Sequence, residues 1–186
     1  MSSKKDYYID LVFSGFGGQG ILIAGNLLCY AALMEDREVT FFPSYGVEMR
    51  GGAANCYVVI STKQIGSPIP SHPEIGLIMS LPALKRFENS IKSGGYLIIN
   101  SDIVSKEDVT REDVNKIYID ANRLSNDAIG NDRLANMVML GYIARKFSIV
   151  KKDSLINAIK EIVSERHKKM IPLNEKAILA GYELNL

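Results

Sequence analysis

The sequence predicts an α/β fold, a three-layer Rossmann-like domain built on a mixed, mostly parallel sheet. Short β-branched and aromatic segments alternate with helical segments, which is the order that places helices against a sheet. A glycine-rich turn also follows the first predicted strand and opens the first predicted helix, as in nucleotide-binding α/β domains. The 186 residues are enough for one substantial core, so we expect a single domain over residues 1–186.

The first predicted strand covers residues 7–14, and the first helix extends from the glycine turn to residue 34. The strand is rich in β-branched and aromatic side chains. In the helical segment Ile21, Ala24, Leu28 and Ala31 recur at helical spacing on one face. We therefore expect this helix to pack against the sheet.

The next two predicted strands are residues 39–42 and 55–61, joined by residues 43–54. This connection contains Pro43 and three glycines and has no helical periodicity. A parallel crossover needs a dozen or more residues and usually includes a helix. We therefore predict an antiparallel pair joined by a long loop, which makes the sheet mixed.

The rest of the chain is predicted to supply the parallel strands and the remaining helices. Asp153 is the expected N-cap of one of these helices, because its carboxylate can accept from free N–H groups of the first turn. The predicted strands are residues 75–80, 96–100 and 116–120, and the predicted helices are residues 82–91, 133–147, 154–167 and 175–182.

Charge and cysteine content exclude several classes of partner and cofactor. The formal net charge is +1, so we expect no general attraction to nucleic acid or to an anionic membrane. The two cysteines, Cys29 and Cys56, do not form a C-x-x-C spacing for a metal or an iron–sulfur cluster, and we expect them to be buried, unreactive thiols. Residues 1–6 are polar and lack the apolar region of a signal peptide, so we expect a cytoplasmic protein.

The glycine turn Gly15-Phe-Gly-Gly-Gln-Gly20 has the spacing G-x-G-x-x-G between a strand and a helix. Glycines permit a tight turn, and the free N–H groups at a helix N-terminus attract anions. Two interpretations stay open, a site for a phosphate-bearing group and a turn needed only for close packing of strand and helix. For the first, the candidate cofactor-binding residues are Gly15, Gly17, Gly18, Gln19 and Gly20.

A nicotinamide or flavin dinucleotide fits this turn poorly. Such a site needs an acidic residue at the end of the second strand to hold the ribose hydroxyls. Here that strand ends in residues 41–44, Phe-Phe-Pro-Ser, and the nearby acids Glu35, Asp36 and Glu38 precede it.

The loop of residues 43–52 is the second candidate site. It concentrates aromatic, acidic, basic and glycine residues, and loops positioned by a rigid sheet often carry function. The alternative is a solvated turn held by salt bridges. The residues expected to face a partner or a ligand are Tyr45, Glu48, Arg50, Gly51 and Gly52.

Taken together, these motifs resemble the gamma subunit of 2-oxoacid:ferredoxin oxidoreductases. The resemblance is carried by the glycine turn, Tyr45-Gly-x-Glu-x-Arg-Gly-Gly52, Asn55-Cys-x-Val-x-Ile-Ser61 and Gly66-Ser-Pro68. It continues through the Asn136-x-x-x-Leu140-Gly141 segment to Asn174-x-x-Ala177-x-x-x-Gly181-Tyr-Glu183, and so covers nearly the whole chain. One departure is Val47, where many relatives have proline.

The resemblance implies a non-autonomous subunit of an enzyme that converts a 2-oxoacid to an acyl-CoA and passes electrons to ferredoxin. It implies alpha, beta and possibly delta subunits as partners, with thiamine diphosphate, magnesium and iron–sulfur clusters on those chains and coenzyme A as substrate. It favours 2-oxoglutarate or a branched-chain 2-oxoacid, and it assigns no catalytic residue or metal ligand to this chain. Both loops would then line the approach of coenzyme A or pack against a catalytic partner.

A second hypothesis is a freestanding Rossmann-like module that binds a nucleotide or coenzyme A as a regulator. An isolated assembly subunit exposes apolar contact surface, and such surfaces self-associate. We therefore expect that the isolated chain can form a homodimer.

Overall fold

A computed structural model describes residues 6–45 and 52–186, with only the backbone described at Tyr45. The strands are β1 (Tyr8–Phe16), β2 (Glu38–Tyr45), β3 (Ala53–Ser61), β4 (Ile75–Ile78), β5 (Tyr96–Asn100) and β6 (Asn115–Ile119). The helices are α1 (Ile21–Leu33), α2 (Leu81–Phe87), α3 (Ala121–Ile129), α4 (Ala135–Lys146), α5 (Lys152–Ile162) and α6 (Ile171–Tyr182).

The six strands form one mixed sheet in the order β2-β3-β1-β4-β5-β6. β1, β4, β5 and β6 pair in parallel, whereas β3 is antiparallel to both of its neighbours, β1 and β2. The predicted antiparallel pair and the predicted mixed, mostly parallel sheet are therefore confirmed. The carboxyl ends of β1, β4, β5 and β6 meet at one edge of the sheet, and the β2–β3 connection lies at the same edge.

Alternating side chains of the strands build a core on each face of the sheet. On one face Leu11 and Phe13 are fully buried with the apolar faces of α1, α4, α5 and α6. On the other face Val12 and Ile99 are fully buried with α2. These two cores confirm the predicted three-layer arrangement, in which the sheet lies between α1, α4, α5 and α6 on one face and α2 on the other.

Helix α3 was not predicted, because its sequence ANRLSNDAI is poor in strong helix formers. Its N-terminus is capped from a distant loop instead: Asp102 Oδ2 accepts from the backbone N–H groups of Asn122 at 2.7 Å and Arg123 at 3.1 Å. Because the capping residue lies 20 positions away in the sequence, the residues next to α3 contain no signal of its N-terminus.

The predicted bounds of the last helices were wrong in three respects. Asp153 is not the N-cap of α5; the cap is Lys151, and Asp153 lies in the first turn. The helix ends at Ile162, and the segment 165–170 is a separate 3-10 helix, because Val163 and Ser164 have extended backbones. Helix α6 begins at Ile171, four residues before the predicted start, with Pro172 in its first turn.

Candidate functional site

The glycine turn lies between the carboxyl end of β1 and the first residue of α1. Gly18 and Gly20 have φ angles of 97° and 70°, in the left-handed region that glycine adopts without steric cost. Gly20 is the N-cap of α1 and has no side chain to accept a hydrogen bond. The first N–H groups of α1 have no partner within the helix, so they are left without a side-chain cap.

The side chain of Gln19 spans the two central parallel strands. Its Oε1 accepts from Phe16 N at 2.7 Å, and its Nε2 donates to Met79 O at 3.0 Å. The connection from β1 through α1 runs toward the β2 edge of the sheet, whereas the connection from β4 through α2 runs toward the β6 edge. The gap between the carboxyl ends of β1 and β4 is therefore a topological switch point, the position at which α/β folds bind ligands. Gln19 occupies the gap between the strand ends and holds the turn against β4.

The structure places the glycine turn beside both ends of the second loop. Gly17 N donates to Gly52 O at 2.9 Å, and Phe16 at the end of β1 pairs with Ala53 at the start of β3. Tyr45, the last residue of β2, pairs with Ala54. Both ends of the loop therefore lie beside the turn, while Glu48, Arg50 and Gly51 lie outside the described residues.

Two buried asparagines beside the turn were not predicted as site residues. Asn55, 1% exposed, accepts from Ser14 Oγ at 2.5 Å. Asn136, 3% exposed and in the first turn of α4, donates from Nδ2 to Gly20 O at 3.0 Å. Both occur in the motifs that carry the family resemblance, and this is the signal that could have found them. Among the described residues, Asn55 Nδ2 and Asn136 Oδ1 have no hydrogen-bond partner.

Two cavities border the turn, and Gly18 and Asn136 line both of them. The smaller, about 160 Å³, also contacts Gln19, Asn122 and Arg133. The larger, about 430 Å³, opens between α1, the start of α4 and the connection from α5 to α6. A third cavity of about 640 Å³ lies elsewhere, at the other end of α1, where it is lined by Tyr7, Glu35 and Arg37.

The two thiols are buried, as expected, and burial disfavours the thiolate that would act as a nucleophile. Burial raises the pKa of Cys29 to about 12 and raises the pKa of Cys56 as well, because the apolar surroundings disfavour the thiolate. Within residues 6–45 and 52–186, no group of three or more His, Cys, Asp or Glu side chains could hold a metal ion. Over the same residues, no helix is long and apolar enough to cross a membrane.

The chain is similar in sequence and fold to known proteins. Residues 10–184 match the family described as pyruvate ferredoxin/flavodoxin oxidoreductase. The chain belongs to this family. A 2-oxoglutarate synthase subunit KorC of Methanocaldococcus jannaschii is 36% identical over 94% of this chain and 92% of its own length. The ketoisovalerate oxidoreductase subunit VorA of Methanothermobacter thermautotrophicus is 33% identical, over 91% of this chain and 35% of its own length.

The fold is also similar to that of a solved structure of the same family. The gamma subunit of a keto/oxoacid ferredoxin oxidoreductase from Geobacter sulfurreducens superposes with a TM-score of 0.79 at 28% identity, covering 94% of this chain and 96% of that one. The resemblance to oxidoreductase gamma subunits drawn from the motifs is therefore confirmed. The chain is an oxidoreductase subunit by family.

Proposed function

We propose that this chain is the gamma-type subunit of a multi-subunit enzyme that oxidatively decarboxylates a 2-oxoacid to an acyl-CoA and reduces ferredoxin. Relatives named as 2-oxoglutarate synthase and ketoisovalerate oxidoreductase subunits support 2-oxoglutarate or a branched-chain 2-oxoacid as substrate. The whole chain, residues 1–186, would form one gamma-type domain, working in the cytoplasm with alpha, beta and possibly delta subunits. Ferredoxin would be reached through that complex.

The hydrogen bond from Gly17 N to Gly52 O carries this proposal. It joins the glycine turn to Gly52, the last residue of the second loop, at the carboxyl edge of the parallel strands, where α/β folds bind their ligands. On this surface Gly15, Gly17, Gly18, Gln19 and Gly20 would form a backbone-lined wall. The loop residues Tyr45, Glu48, Arg50, Gly51 and Gly52 would line the approach of coenzyme A or pack against the catalytic partner.

We place the redox and decarboxylation cofactors on the partner chains. An iron–sulfur cluster is held by four thiolates, and the sequence has two cysteines, both buried on separate elements. Thiamine diphosphate with its magnesium would supply decarboxylation chemistry from a partner subunit. This chain would contribute the position and shape of the surface rather than a reacting group, and Gln19, bonded to both Phe16 and Met79, would hold that shape.

Reconstitution tests the proposal. The purified chain is assayed with thiamine diphosphate, magnesium, coenzyme A, ferredoxin and either 2-oxoglutarate, 2-oxoisovalerate or pyruvate, with and without the alpha and beta subunits. We expect acyl-CoA formation and ferredoxin reduction only with the partner subunits, together with a complex on gel filtration. Activity of the chain alone contradicts the proposal. Failure of the chain to associate with any partner would favour the freestanding regulatory module instead.

A further inference from the structure

The outward face of α1 is apolar although it is exposed to solvent. The buried residues of this helix pack on the sheet and on α5, and the positions left at the surface recur at helical spacing. Ile23, Tyr30 and Leu33 are 55%, 42% and 50% exposed, and Met34, directly after the helix, is 44% exposed. The outer stripe of α1 consists of Ile23, Asn26, Tyr30 and Leu33.

This face carries no charge. The sequence from Ile21 to Met34 contains no Asp, Glu, Lys or Arg, and within the outer stripe only Asn26 and Tyr30 have polar side-chain atoms. The solvent side of a surface helix is normally polar or charged, and a helix that is apolar on all sides is normally buried. Such a face is typical of a surface that contacts another protein.

The outer stripe has the same pattern in both directions along the helix. Its four residues are separated by three, four and three positions, with an aliphatic side chain at each end and the two polar side chains between them. Two copies of α1 that pack antiparallel therefore place Ile23 of each copy opposite Leu33 of the other. An interface with two-fold symmetry requires this self-complementarity.

The polar atoms in the middle of the stripe complement each other. The amide of Asn26 has a donor and an acceptor, and the hydroxyl of Tyr30 can donate and accept. In the antiparallel arrangement Asn26 of each copy faces Tyr30 of the other, because both lie two positions from the midpoint of the stripe. Both groups can then be hydrogen-bonded in a contact that excludes water, as buried polar groups require.

The two ends of the stripe differ in charge. Residues 165–170 lie beside its first end, since His167 and Ile23 line the same cavity, and they contain three Lys or Arg side chains and one acidic side chain. Residues 35–38 follow its second end and contain three acidic side chains and one arginine. Two lysines at the start of α5 lie near that second end and reduce its negative charge, but they do not make it as basic as the first. Antiparallel packing brings the unlike ends together, which favours this orientation.

We infer that two copies of this chain associate through the outer stripe of α1, packed antiparallel about a two-fold axis. The stripe contains none of residues 15–20 or 45–52, so it is separate from the surface of the proposed function and does not rest on it. An enzyme that contains this chain then contains it in pairs. The expected homodimer of the isolated chain acquires a defined contact.

Analytical ultracentrifugation of the full chain tests the inference with one pair of variants. Leu33→Lys places an ammonium group opposite Ile23 at two symmetric positions, where it must lose water, so we expect a dimer dissociation constant at least about tenfold higher. Lysine near the C-terminus of a helix is compatible with the helix dipole. Ile69→Lys is the matched control, because Ile69 is 42% exposed in the loop before β4, and the constant should stay within about twofold.

Cysteine cross-linking tests the antiparallel orientation. Ile23→Cys and Leu33→Cys are prepared as separate variants, and each is oxidised alone and in an equal mixture. The native thiols are buried and do not compete. In the antiparallel pair, two copies of the same variant hold their cysteines about 15 Å apart along the helix, beyond disulfide reach, whereas the mixture places unlike cysteines opposite each other. We expect covalent dimers only in the mixture.

Each outcome decides the inference. A dimer weakened by Leu33→Lys but not by Ile69→Lys, with cross-links in the mixture, supports it. A chain that stays monomeric, a dimer insensitive to Leu33→Lys, or cross-links within one variant alone would overturn it. If the chain is monomeric and Leu33→Lys prevents its association with the alpha and beta subunits, the stripe contacts those subunits and the inference is wrong. No measurement here depends on activity, so either proposal can fail while the other stands.

Discussion

At the scale of single residues, Gly20 combines a left-handed backbone with a contact that leaves no room for a methyl group. Its φ is 70°, and an added Cβ would overlap Asn136 Nδ2, the atom that donates to Gly20 O. Gly18 has a φ of 97°, but an added Cβ would meet nothing within 4 Å. A substitution at Gly18 therefore tests backbone strain alone, whereas a substitution at Gly20 adds steric overlap.

We expect Gly18→Ala to lower the free energy of unfolding by about 1–2 kcal/mol, the cost of a left-handed backbone for a non-glycine residue. Gly20→Ala should cost about 1–3 kcal/mol more, because Asn136 must shift and lose its hydrogen bond. Urea denaturation followed by circular dichroism measures both. Equal losses at the two positions would show that the contact with Asn136 is unimportant.

At the scale of secondary-structure elements, α4 and α6 cross at two glycines. An added Cβ at Gly141 would overlap the backbone carbonyl of Ile178, and one at Gly181 would overlap that of Val138. The two helix backbones are therefore in direct contact. The family motif that begins in the first turn of α4 contains Gly141 and the motif that ends α6 contains Gly181, so the presence of these glycines reflects the packing of two helices.

Gly181→Ala tests this crossing. Alanine favours an isolated helix over glycine by about 1 kcal/mol, but at this position it must separate α6 from α4. We expect a loss of about 3 kcal/mol or more in the free energy of unfolding, because the backbone has to move. Gly66→Ala is the control, since an added Cβ there meets nothing within 4 Å. A stabilised Gly181→Ala protein would contradict the close crossing.

At the scale of the whole molecule, the two buried thiols make global stability depend on pH. The pKa of Cys29 is about 12 in the folded chain, and that of Cys56 is also raised, whereas an unfolded cysteine has a pKa of about 8.5. Raised folded values mean that the unfolded chain loses these protons first. The stabilisation is therefore complete below pH of about 8.5 and declines as the pH rises toward the folded values.

We expect the free energy of unfolding to fall above pH of about 8.5 by up to about 1.4 kcal/mol per pH unit for each thiol. The double variant Cys29→Ala, Cys56→Ala should show a shallower decline. Tyrosines with raised pKa, such as Tyr7 and Tyr142, contribute to both proteins and cancel in the comparison. Denaturation curves at several pH values measure the slopes, and parallel slopes would contradict a role of the thiols.

The sequence determined those features that depend on neighbouring residues. The glycine spacing after a β-branched strand predicted the turn, because only glycine takes left-handed angles at Gly18 and Gly20 without cost. The absence of helical periodicity between β2 and β3 predicted an antiparallel pair, because a parallel crossover usually includes a helix. Two cysteines on apolar segments predicted buried thiols. The combined motifs predicted the family.

Only the tertiary structure decided which distant residues meet at the turn. Asn136 bonds to Gly20 across 116 positions of the chain, Gln19 bonds to Met79 across 60, and Asp102 caps α3 from another loop. Such contacts depend on how whole elements pack, so no local pattern of hydrophobicity or propensity contains them. The cleft between α1, α4 and the α5–α6 connection has the same origin, since its walls come from three parts of the chain that only packing brings together.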